Sequence, residues 1–181
     1  TVAITGRTGS GKSTILQLVM RMMDPTEGSI SFKGAALGIW KLDKYREHTG
    51  YVPQDVFLFS DTIENNISFG VKEFKSKERE KERITESALD AGVLEDIKGF
   101  EHGFETLLGE RGVNLSGGQK QRISIARALI REPELLILDD CLSAVDVITE
   151  KHILGRLKKG NDARSTLVVS HRISTIKDAD L

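Results

Sequence analysis

Residues 1–20 have the sequence TVAITGRTGSGKSTILQLVM, in which a short run of β-prone apolar residues is followed by a glycine-rich loop. Apolar residues at helical spacing come next, so the loop stands between a strand and a helix. The segment GRTGSGKS (6–13) matches the pattern of a phosphate-binding loop in the context that this pattern requires. Its glycines let the backbone wrap around phosphate, and the N–H groups at the helix N-terminus attract anions. The residues predicted to bind a nucleoside triphosphate or a related molecule are Gly6, Thr8, Gly9, Ser10, Gly11, Lys12, Ser13 and Thr14.

The segment LLILDD (135–140) is predicted to supply the second half of this site. Its apolar residues indicate a stiff central strand, which would deliver Asp139 to the phosphate end of the sheet. There Asp139 would hold Mg²⁺ through water, Ser13 would bind the ion with its hydroxyl, and Lys12 would reach the β- and γ-phosphates. The alternative for Asp139 is an acid that only caps the next turn.

The alternation of strands, loops and helices predicts an α/β fold with a central, mostly parallel sheet. The segment TLVVSH (166–171) is a further apolar run of the kind that forms parallel strands covered on both faces. Residues 57–128 lack such strands and are predicted to form a helical lobe, with residues 1–56 and 129–181 forming the sheet lobe. Within the helical lobe, the charge run 72–83 is expected to be a solvated helix or a mobile loop, and a helix is expected from Ile84 to about Ile97.

Composition excludes several classes of protein. The 181 residues suit one domain, and a formal net charge of −1 leaves no basic excess for a general nucleic-acid binder. The single cysteine, Cys141, excludes an intramolecular disulfide and is expected to serve in packing. We expect no signal peptide, and no run in the sequence approaches the roughly 20 apolar residues that span a bilayer. Because the chain begins at Thr1, inside a predicted strand, we expect it to be an excerpt of a longer protein.

A second glycine-containing segment, LSGGQ (115–119), opens the predicted helix QKQRISIARALIRE, which ends before Pro133. Ser116, Gly117 and Gly118 at the start of a helix form a second small anion site. One bound phosphate tail has no use for two such sites, unless the second site serves a partner. This argument favours a protein that acts as a dimer.

Six motifs occur together: GRTGSGKST (6–14), YVPQ (51–54), LSGGQ, LLILDD, SAVD (143–146) and SHRI (170–173). In this order they resemble the phosphate-binding loop, glutamine loop, signature, Walker B strand, D-loop and switch histidine of ABC transporter nucleotide-binding domains. The resemblance covers essentially the whole chain. It implies a P-loop NTPase fold of the RecA-like type, with a mostly parallel central sheet and an inserted α-helical subdomain.

The resemblance also implies ligands and roles. ATP and Mg²⁺ would be the ligands, with Gln54 touching Mg²⁺ or the attacking water and His171 contacting the γ-phosphate. Asp146 would tie the two halves of a dimer together. The residues implied to bind the partner's nucleotide are Ser116, Gly117, Gly118 and Gln119. The implied partners are a second nucleotide-binding domain and transmembrane domains on the same polypeptide, with no nucleic acid. These transmembrane domains would hold the chain at the cytoplasmic face of a membrane.

Two segments resemble exporters within this family: TLLGERG (106–112) and DVFLFSDTIENNISFG (55–70). The first resembles the loop that contacts the helices coupling hydrolysis to transport. A soluble ABC protein of repair or translation would need coiled-coil arms or a second cassette, and this sequence contains neither. An adenylate-kinase-like enzyme would lack LSGGQ. The resemblance therefore favours an ATP-hydrolysing motor domain of an exporter.

One position departs from the family. Asp140 stands where members usually carry the glutamate that acts as general base, and its carboxylate is shorter in reach by about 1.5 Å. A misplacement of about 1 Å can lower a rate roughly a hundredfold. This departure predicts that the chain contributes the slow, mainly ATP-binding and regulatory half of a heterodimeric exporter; the alternative is a homodimer in which Asp140 still serves. The aromatic residue on which the family stacks adenine would lie upstream of Thr1.

Overall fold

The computed structural model of the chain describes residues 1–159, 164–177 and 179–181. Its strands are β1 (Val2–Ile4), β2 (Ser31–Phe32), β3 (Ala35–Ala36), β4 (Thr49–Val52), β5 (Leu135–Asp139) and β6 (Ser165–Val169). Its α-helices are α1 (Lys12–Val19), α2 (Leu42–Glu47), α3 (Ile63–Ser68), α4 (Lys77–Asp90), α5 (Leu94–Gly99), α6 (Gly117–Leu129), α7 (Val147–Lys159) and α8 (Ile173–Ile176). Short 3-10 turns lie at Leu37–Ile39, Gly103–Glu105 and Glu110–Gly112.

The central sheet has the strand order β1-β6-β5-β4, and each neighbouring pair is parallel. In register, Val169 of β6 lies between Ile4 of β1 and Asp139 of β5. Because parallel strands all end at the same edge of a sheet, the loops that follow β1, β4, β5 and β6 meet there. The predicted α/β fold with a mostly parallel sheet is confirmed.

Strand β5 is buried on both faces, as its continuous apolar run predicts. Leu136 and Leu138 point into a large core shared with α3, α4 and α6, whereas Ile137 points into a smaller core beneath α1. The smaller core is completed by Leu16 of α1 and Val169 of β6. This two-sided packing fixes the end of β5, where the acidic residues lie.

Between residues 57 and 128 the chain forms helices joined by loops, and its β structure is limited to a single bridge that pairs Thr62 with Leu107 in antiparallel fashion. Its buried side chains, such as Ile84 and Ile123, belong to the same large core as Leu136 of the sheet. The division into a lobe of 57–128 and a lobe of 1–56 and 129–181 stays a prediction.

The region predicted as one helix from Ile84 to Ile97 consists of two. Helix α4 ends at Asp90 and α5 begins at Leu94, because Gly92 between them has a φ of 66°, outside the helical region. The charge run 72–83 is helical from residue 77 onward, with the Ser76 hydroxyl accepting a hydrogen bond from Arg79 N at 3.2 Å as an N-cap.

Helix α4 has 14 residues, and its first two turns carry most of that charge run. Helices α6 and α7 have 13 residues each and include charged side chains. Within the described ranges, no helix combines the length and the apolar character needed to span a membrane.

Candidate active site

A cavity of about 350 Å³ opens at the edge of the sheet where the parallel strands end. It brings together residues predicted from the phosphate-binding loop, the glutamine loop, the Walker B strand and the switch histidine. Its lining consists of Thr8, Gly9, Gly11, Lys12, Ser13, Thr14, Gln54, Asp139, Asp140, Val169 and His171.

The glycine-rich loop has the backbone that a phosphate cradle needs. Gly9 and Gly11 have φ values of 80° and 87°, which other residues adopt only with strain. Gly11 is the N-cap of α1 and has no side chain to cap the helix, so the first N–H groups of α1 are left for a ligand. Gly6 and Ser10 lie outside the lining but shape the loop, since a Cβ on Gly6 would stand 2.8 Å from the Ser10 hydroxyl.

Lys12 is folded back over its own loop. Its side chain is nearly buried, and Nζ donates hydrogen bonds to the carbonyl oxygens of Gly6 at 2.8 Å and Arg7 at 2.9 Å. An ammonium group has three donor protons, so one remains for an anion in the cavity. The loop therefore holds a positive charge in place before any ligand binds.

Asp139, at the end of β5, is 8% exposed, and its Oδ2 lies 3.4 Å from the hydroxyl of Tyr51. Burial raises the pKa of Asp139, and the Tyr51 hydrogen bond acts in the opposite direction. Burial and the negative charge of Asp139 raise the pKa of Tyr51 to about 12, so the phenol stays protonated and donates. Tyr51 thus restricts the orientation of the predicted metal ligand.

Asp140 has a φ of 44°, in the left-handed region that aspartate tolerates better than most residues. Its backbone N–H donates to the Val169 carbonyl at 2.9 Å, which ties the end of β5 to the end of β6. The exposed His171 follows two residues after Val169 and lines the same cavity as Asp140 and Gln54. The three residues predicted to act in hydrolysis thus share one cavity.

The LSGGQ segment lies elsewhere: none of residues 115–119 lines the cavity. Ser116 is the N-cap of α6 and forms a capping box with Gln119, with Ser116 Oγ accepting from Gln119 N at 3.2 Å and Gln119 Oε1 accepting from Ser116 N at 3.0 Å. Gln119 Nε2 also donates to Asp96 Oδ1 at 3.0 Å. Gly118 admits no side chain, because a Cβ would stand 2.9 Å from the Ala144 carbonyl oxygen.

A family model described as "ABC transporter" matches residues 1–143 of the chain. The chain belongs to the ABC transporter family. It is 46% identical over 181 residues to a Bacillus subtilis (strain 168) protein described as "Probable multidrug resistance ABC transporter ATP-binding/permease protein YheI", a match covering 100% of this chain and 30% of the relative. It is 46% identical over 180 residues to the "ATP-dependent lipid A-core flippase" of Pasteurella multocida (strain Pm70), with 99% of this chain and 30% of the relative covered.

The structure of a bacterial Atm1-family ABC exporter with ATP bound matches this ABC domain with a TM-score of 0.91 at 40% identity. The match covers 99% of this chain and 31% of that protein. The ABC domain therefore spans about a third of the length of the relatives that it matches. The predicted resemblance to exporter-type nucleotide-binding domains is confirmed.

The acidic residue of the predicted D-loop, Asp146, accepts hydrogen bonds from its own chain. Asp146 Oδ1 accepts hydrogen bonds from the backbone N–H groups of Ile148 at 3.1 Å and Thr149 at 3.0 Å, so it caps α7. Hydrogen bonds from Thr149 lower the pKa of Asp146, because they favour the carboxylate. The role of Asp146 between two halves of a dimer stays a prediction.

Two further residues with reactive or titratable side chains lie outside the cavity. Cys141 is buried in the large core, and burial raises the pKa of its thiol, which suits the packing role. His48 Nδ1 lies 2.8 Å from Glu134 Oε1, at the surface. Neither residue contributes to the cavity.

Arg172 was missed by sequence reasoning. It follows His171 directly and contacts the backbone of the D-loop at Ser143 and Val145. In the sequence, Arg172 is visible only as an arginine beside the predicted switch histidine, and Glu150 only as an acid on the apolar face of α7. Their ion pair depends on the tertiary fold, so the sequence does not reveal it.

Proposed function

We propose that this ABC domain binds ATP with Mg²⁺ and hydrolyses it to drive export of a substrate across a membrane, as one half of an ATP-sandwiching dimer. The observation that carries the proposal is a division within one chain. The phosphate loop, Gln54, Asp139, Asp140 and His171 share a cavity, whereas LSGGQ lies outside it on a capped helix. A second anion site that its own cavity does not use suits the nucleotide of a partner domain.

The residues at the cavity fit Mg²⁺. Ser13, Gln54 and Asp139 offer hydroxyl, amide and carboxylate oxygens, which are the donors that this hard cation prefers. No cluster of three or more His, Cys, Asp and Glu side chains suited to a metal occurs in the described part of the chain, in keeping with an ion held also by phosphates and water. When bound, Mg²⁺ neutralises charge on the phosphates.

The chain's own groups would share the remaining work of hydrolysis. The third N–H of the Lys12 ammonium group and the backbone N–H groups at the start of α1 would donate hydrogen bonds to the phosphate tail. Asp140 would accept a proton from the attacking water, which Gln54 would help to orient. His171 would donate a hydrogen bond to the terminal phosphate.

The relatives favour a motor over a mainly regulatory module. One is described as an ATP-dependent flippase, and the solved exporter of 40% identity has ATP bound. The regulatory alternative rests on the shorter reach of the Asp140 carboxylate, and substitutions of Asp140 by asparagine and glutamate distinguish the two functions.

A transmembrane partner would dock on an exposed aromatic surface, which we define as Phe57, Phe59 and Phe69. Phe57 and Phe69 are more than half exposed, and the rings contact one another through Phe59 at centroid distances of 5.2 and 4.5 Å. Contiguous exposed apolar groups of this kind mark interaction sites. Such a surface suits apolar and aromatic side chains of a partner.

The aromatic surface lies beside the other segment with exporter character. Leu108 N donates to the Asp61 carbonyl at 3.0 Å, and Ile63 N donates to the Thr106 carbonyl at 3.1 Å, so residues 55–70 and 106–112 run alongside each other. Leu107 in the second segment is 69% exposed. The B. subtilis relative is described as an ATP-binding/permease protein, and we propose that a permease portion of the same polypeptide covers this surface at the cytoplasmic face of a membrane.

Hydrolysis is tested with the full-length protein that carries this domain, purified in lipid nanodiscs. Phosphate release should require both ATP and Mg²⁺. Tight ATP binding without phosphate release would contradict the motor and favour the regulatory alternative.

The docking surface is tested by hydroxyl-radical footprinting, with labelling read by mass spectrometry. Phe57 and Phe69 should be protected in the full-length protein and labelled in the separately expressed domain. Ile39, which is 77% exposed elsewhere on the domain, serves as the control and should be labelled equally in both. Equal labelling of Phe57 and Phe69 in the two samples would rule out this surface.

A further inference from the structure

Arg172 joins the switch histidine to the D-loop. Its guanidinium donates to the Ser143 carbonyl at 2.6 Å and to the Val145 carbonyl at 2.8 Å, and it forms an ion pair with Glu150 at 2.7 Å. Its neighbour His171 lines the nucleotide cavity. A planar guanidinium with five donors can make these three contacts at once, which a lysine ammonium cannot match in geometry.

Glu150 fixes the guanidinium from within the protein. The Glu150 side chain is 0% exposed, and its second carboxylate oxygen accepts a hydrogen bond from the Thr175 hydroxyl at 2.6 Å. A buried carboxylate is strongly unfavourable unless it is paired and hydrogen-bonded, so Arg172 is held firmly in this orientation. Thr175 shares Glu150 with Arg172, and none of the hydrogen bonds described for Thr175 reaches the D-loop.

Helix α6, which begins within LSGGQ, contacts the D-loop from the side opposite Arg172. The backbone N–H of Ala144, between the two carbonyls held by Arg172, donates to Gln121 Oε1 at 3.1 Å. Gln121 is nearly buried in α6, and the Ala144 carbonyl packs so closely on Gly118 that it would stand 2.9 Å from a Cβ there. Three successive D-loop residues thus connect the nucleotide cavity with the signature helix.

We propose that Arg172 is a positioning residue that, through the backbone of Ser143, Ala144 and Val145 and the side chain of Gln121, couples the occupancy of this chain's nucleotide cavity to the LSGGQ helix serving the partner's site. The inference rests on the proposed dimeric ATPase. A shift of the His171 segment moves Arg172, and the D-loop moves with it because its carbonyls are held at two points. Since Ala144 packs against Gly118 with no space between them, the start of α6 follows.

The test uses the full-length protein, with three measurements: equilibrium affinity for a fluorescent ATP analogue, the kcat of phosphate release, and the Hill coefficient for ATP. Arg172→Met should leave the affinity within about twofold. It should lower kcat roughly 10- to 100-fold, as expected for small misplacements at a distance, and bring the Hill coefficient to about 1. Arg172→Lys, which keeps the charge beside Glu150, should restore part of kcat.

Thr175→Val is the matched control, because it removes a hydrogen bond to the same Glu150 without altering the D-loop contacts of Arg172. It should lower kcat and the Hill coefficient much less than Arg172→Met does. Gln121→Met removes the hydrogen bond from Ala144 N on the other side of the D-loop. It should lower kcat as Arg172→Met does, with ATP affinity unchanged. This variant provides a second test if Arg172→Met does not fold.

Several results would overturn the inference. One is a loss of kcat in Thr175→Val as large as that in Arg172→Met. Another is a loss of ATP affinity in Arg172→Met as large as its loss of kcat. A third is an unchanged kcat in Arg172→Met or Gln121→Met. If the unsubstituted protein itself releases no phosphate, the proposed ATPase fails first, and that outcome is distinct from all of these.

Discussion

The hydroxyl of Tyr51 lies 3.4 Å from Oδ2 of Asp139, across the parallel pairing of β4 and β5. The phenol restricts the orientation of a carboxylate that we propose as a ligand of Mg²⁺. We therefore predict that Tyr51→Phe, which removes only the hydroxyl, raises the Mg²⁺ concentration needed for half-maximal phosphate release about fivefold. This corresponds to about 1 kcal/mol, as for an ordinary hydrogen bond. Binding of a fluorescent ATP analogue in EDTA is the control and should not change; an unaltered Mg²⁺ titration would contradict the role of Tyr51.

Lys12→Ala should remove most ATP affinity. The ammonium held over Gly6 and Arg7 is a compact positive charge where we propose that the β- and γ-phosphates bind, and no other lysine or arginine among the described side chains lines the cavity. Equilibrium titration with a labelled ATP analogue measures the effect. Lys33→Ala is the matched control, because Lys33 is an exposed lysine that pairs with Glu134 away from the cavity. Unchanged affinity in Lys12→Ala would contradict the assignment of residues 6–13.

Ser116→Arg should abolish ATP-dependent dimer formation while leaving ATP binding by each domain intact. The substitution fills the anion site that we propose at the start of α6, and this position lies outside the chain's own cavity. Size-exclusion chromatography with trapped nucleotide measures dimer formation. A variant that also loses ATP binding would mean that LSGGQ serves its own chain.

Ser116→Arg also removes an N-cap, which costs about 1 kcal/mol of stability by itself. Ser76→Ala is a control for that loss, because Ser76 caps α4 with the same type of hydrogen bond. Dimer formation should survive in Ser76→Ala, so that a defect confined to Ser116→Arg reports the anion site.

Glu110→Ala should uncouple hydrolysis from transport. Glu110 begins the turn Glu110–Gly112, in the segment that runs beside the aromatic surface. A charge at the junction with a permease portion should affect the transmission of movement more than the distant cavity. In inverted membrane vesicles, phosphate release should stay within about twofold. Transport of a substrate that stimulates the ATPase should fall. A parallel decline of both rates would place the segment in the catalytic assembly.

Local motifs explain what the sequence predicted well. The phosphate loop and LLILDD carry their own strand and turn signals, so the cavity with Lys12, Ser13, Asp139 and Asp140 could be predicted. Tyr51 and Arg172 could not, because their contacts depend on strand register and on the approach of α7 to the His171 segment. The contacts of Gln119 could not be predicted either. Its amide accepts a hydrogen bond from Ser116 N in the capping box and donates one to Asp96, and the LSGGQ motif does not reveal the contact with Asp96.

Asp140 decides between the motor and its alternative. Its φ of 44° lies in a region that asparagine tolerates as well as aspartate, so Asp140→Asn should preserve the fold while removing the base. We predict that turnover of the full-length protein falls about 10²–10⁴-fold, as is typical for loss of a general base. Asp140→Glu should raise turnover instead, because it extends the carboxylate by about 1.5 Å towards the attacking water.

Both variants are compared with the unsubstituted protein by the rate of phosphate release at saturating ATP and Mg²⁺, with thermal unfolding as the check on the fold. A collapse in Asp140→Asn means that this carboxylate serves despite its shorter reach, as in a homodimer whose two sites carry the same base. Turnover that barely changes would mean that a partner's base carries hydrolysis. Asp140 would then mark the slow site of a heterodimer, and the motor assignment for this cavity would be wrong.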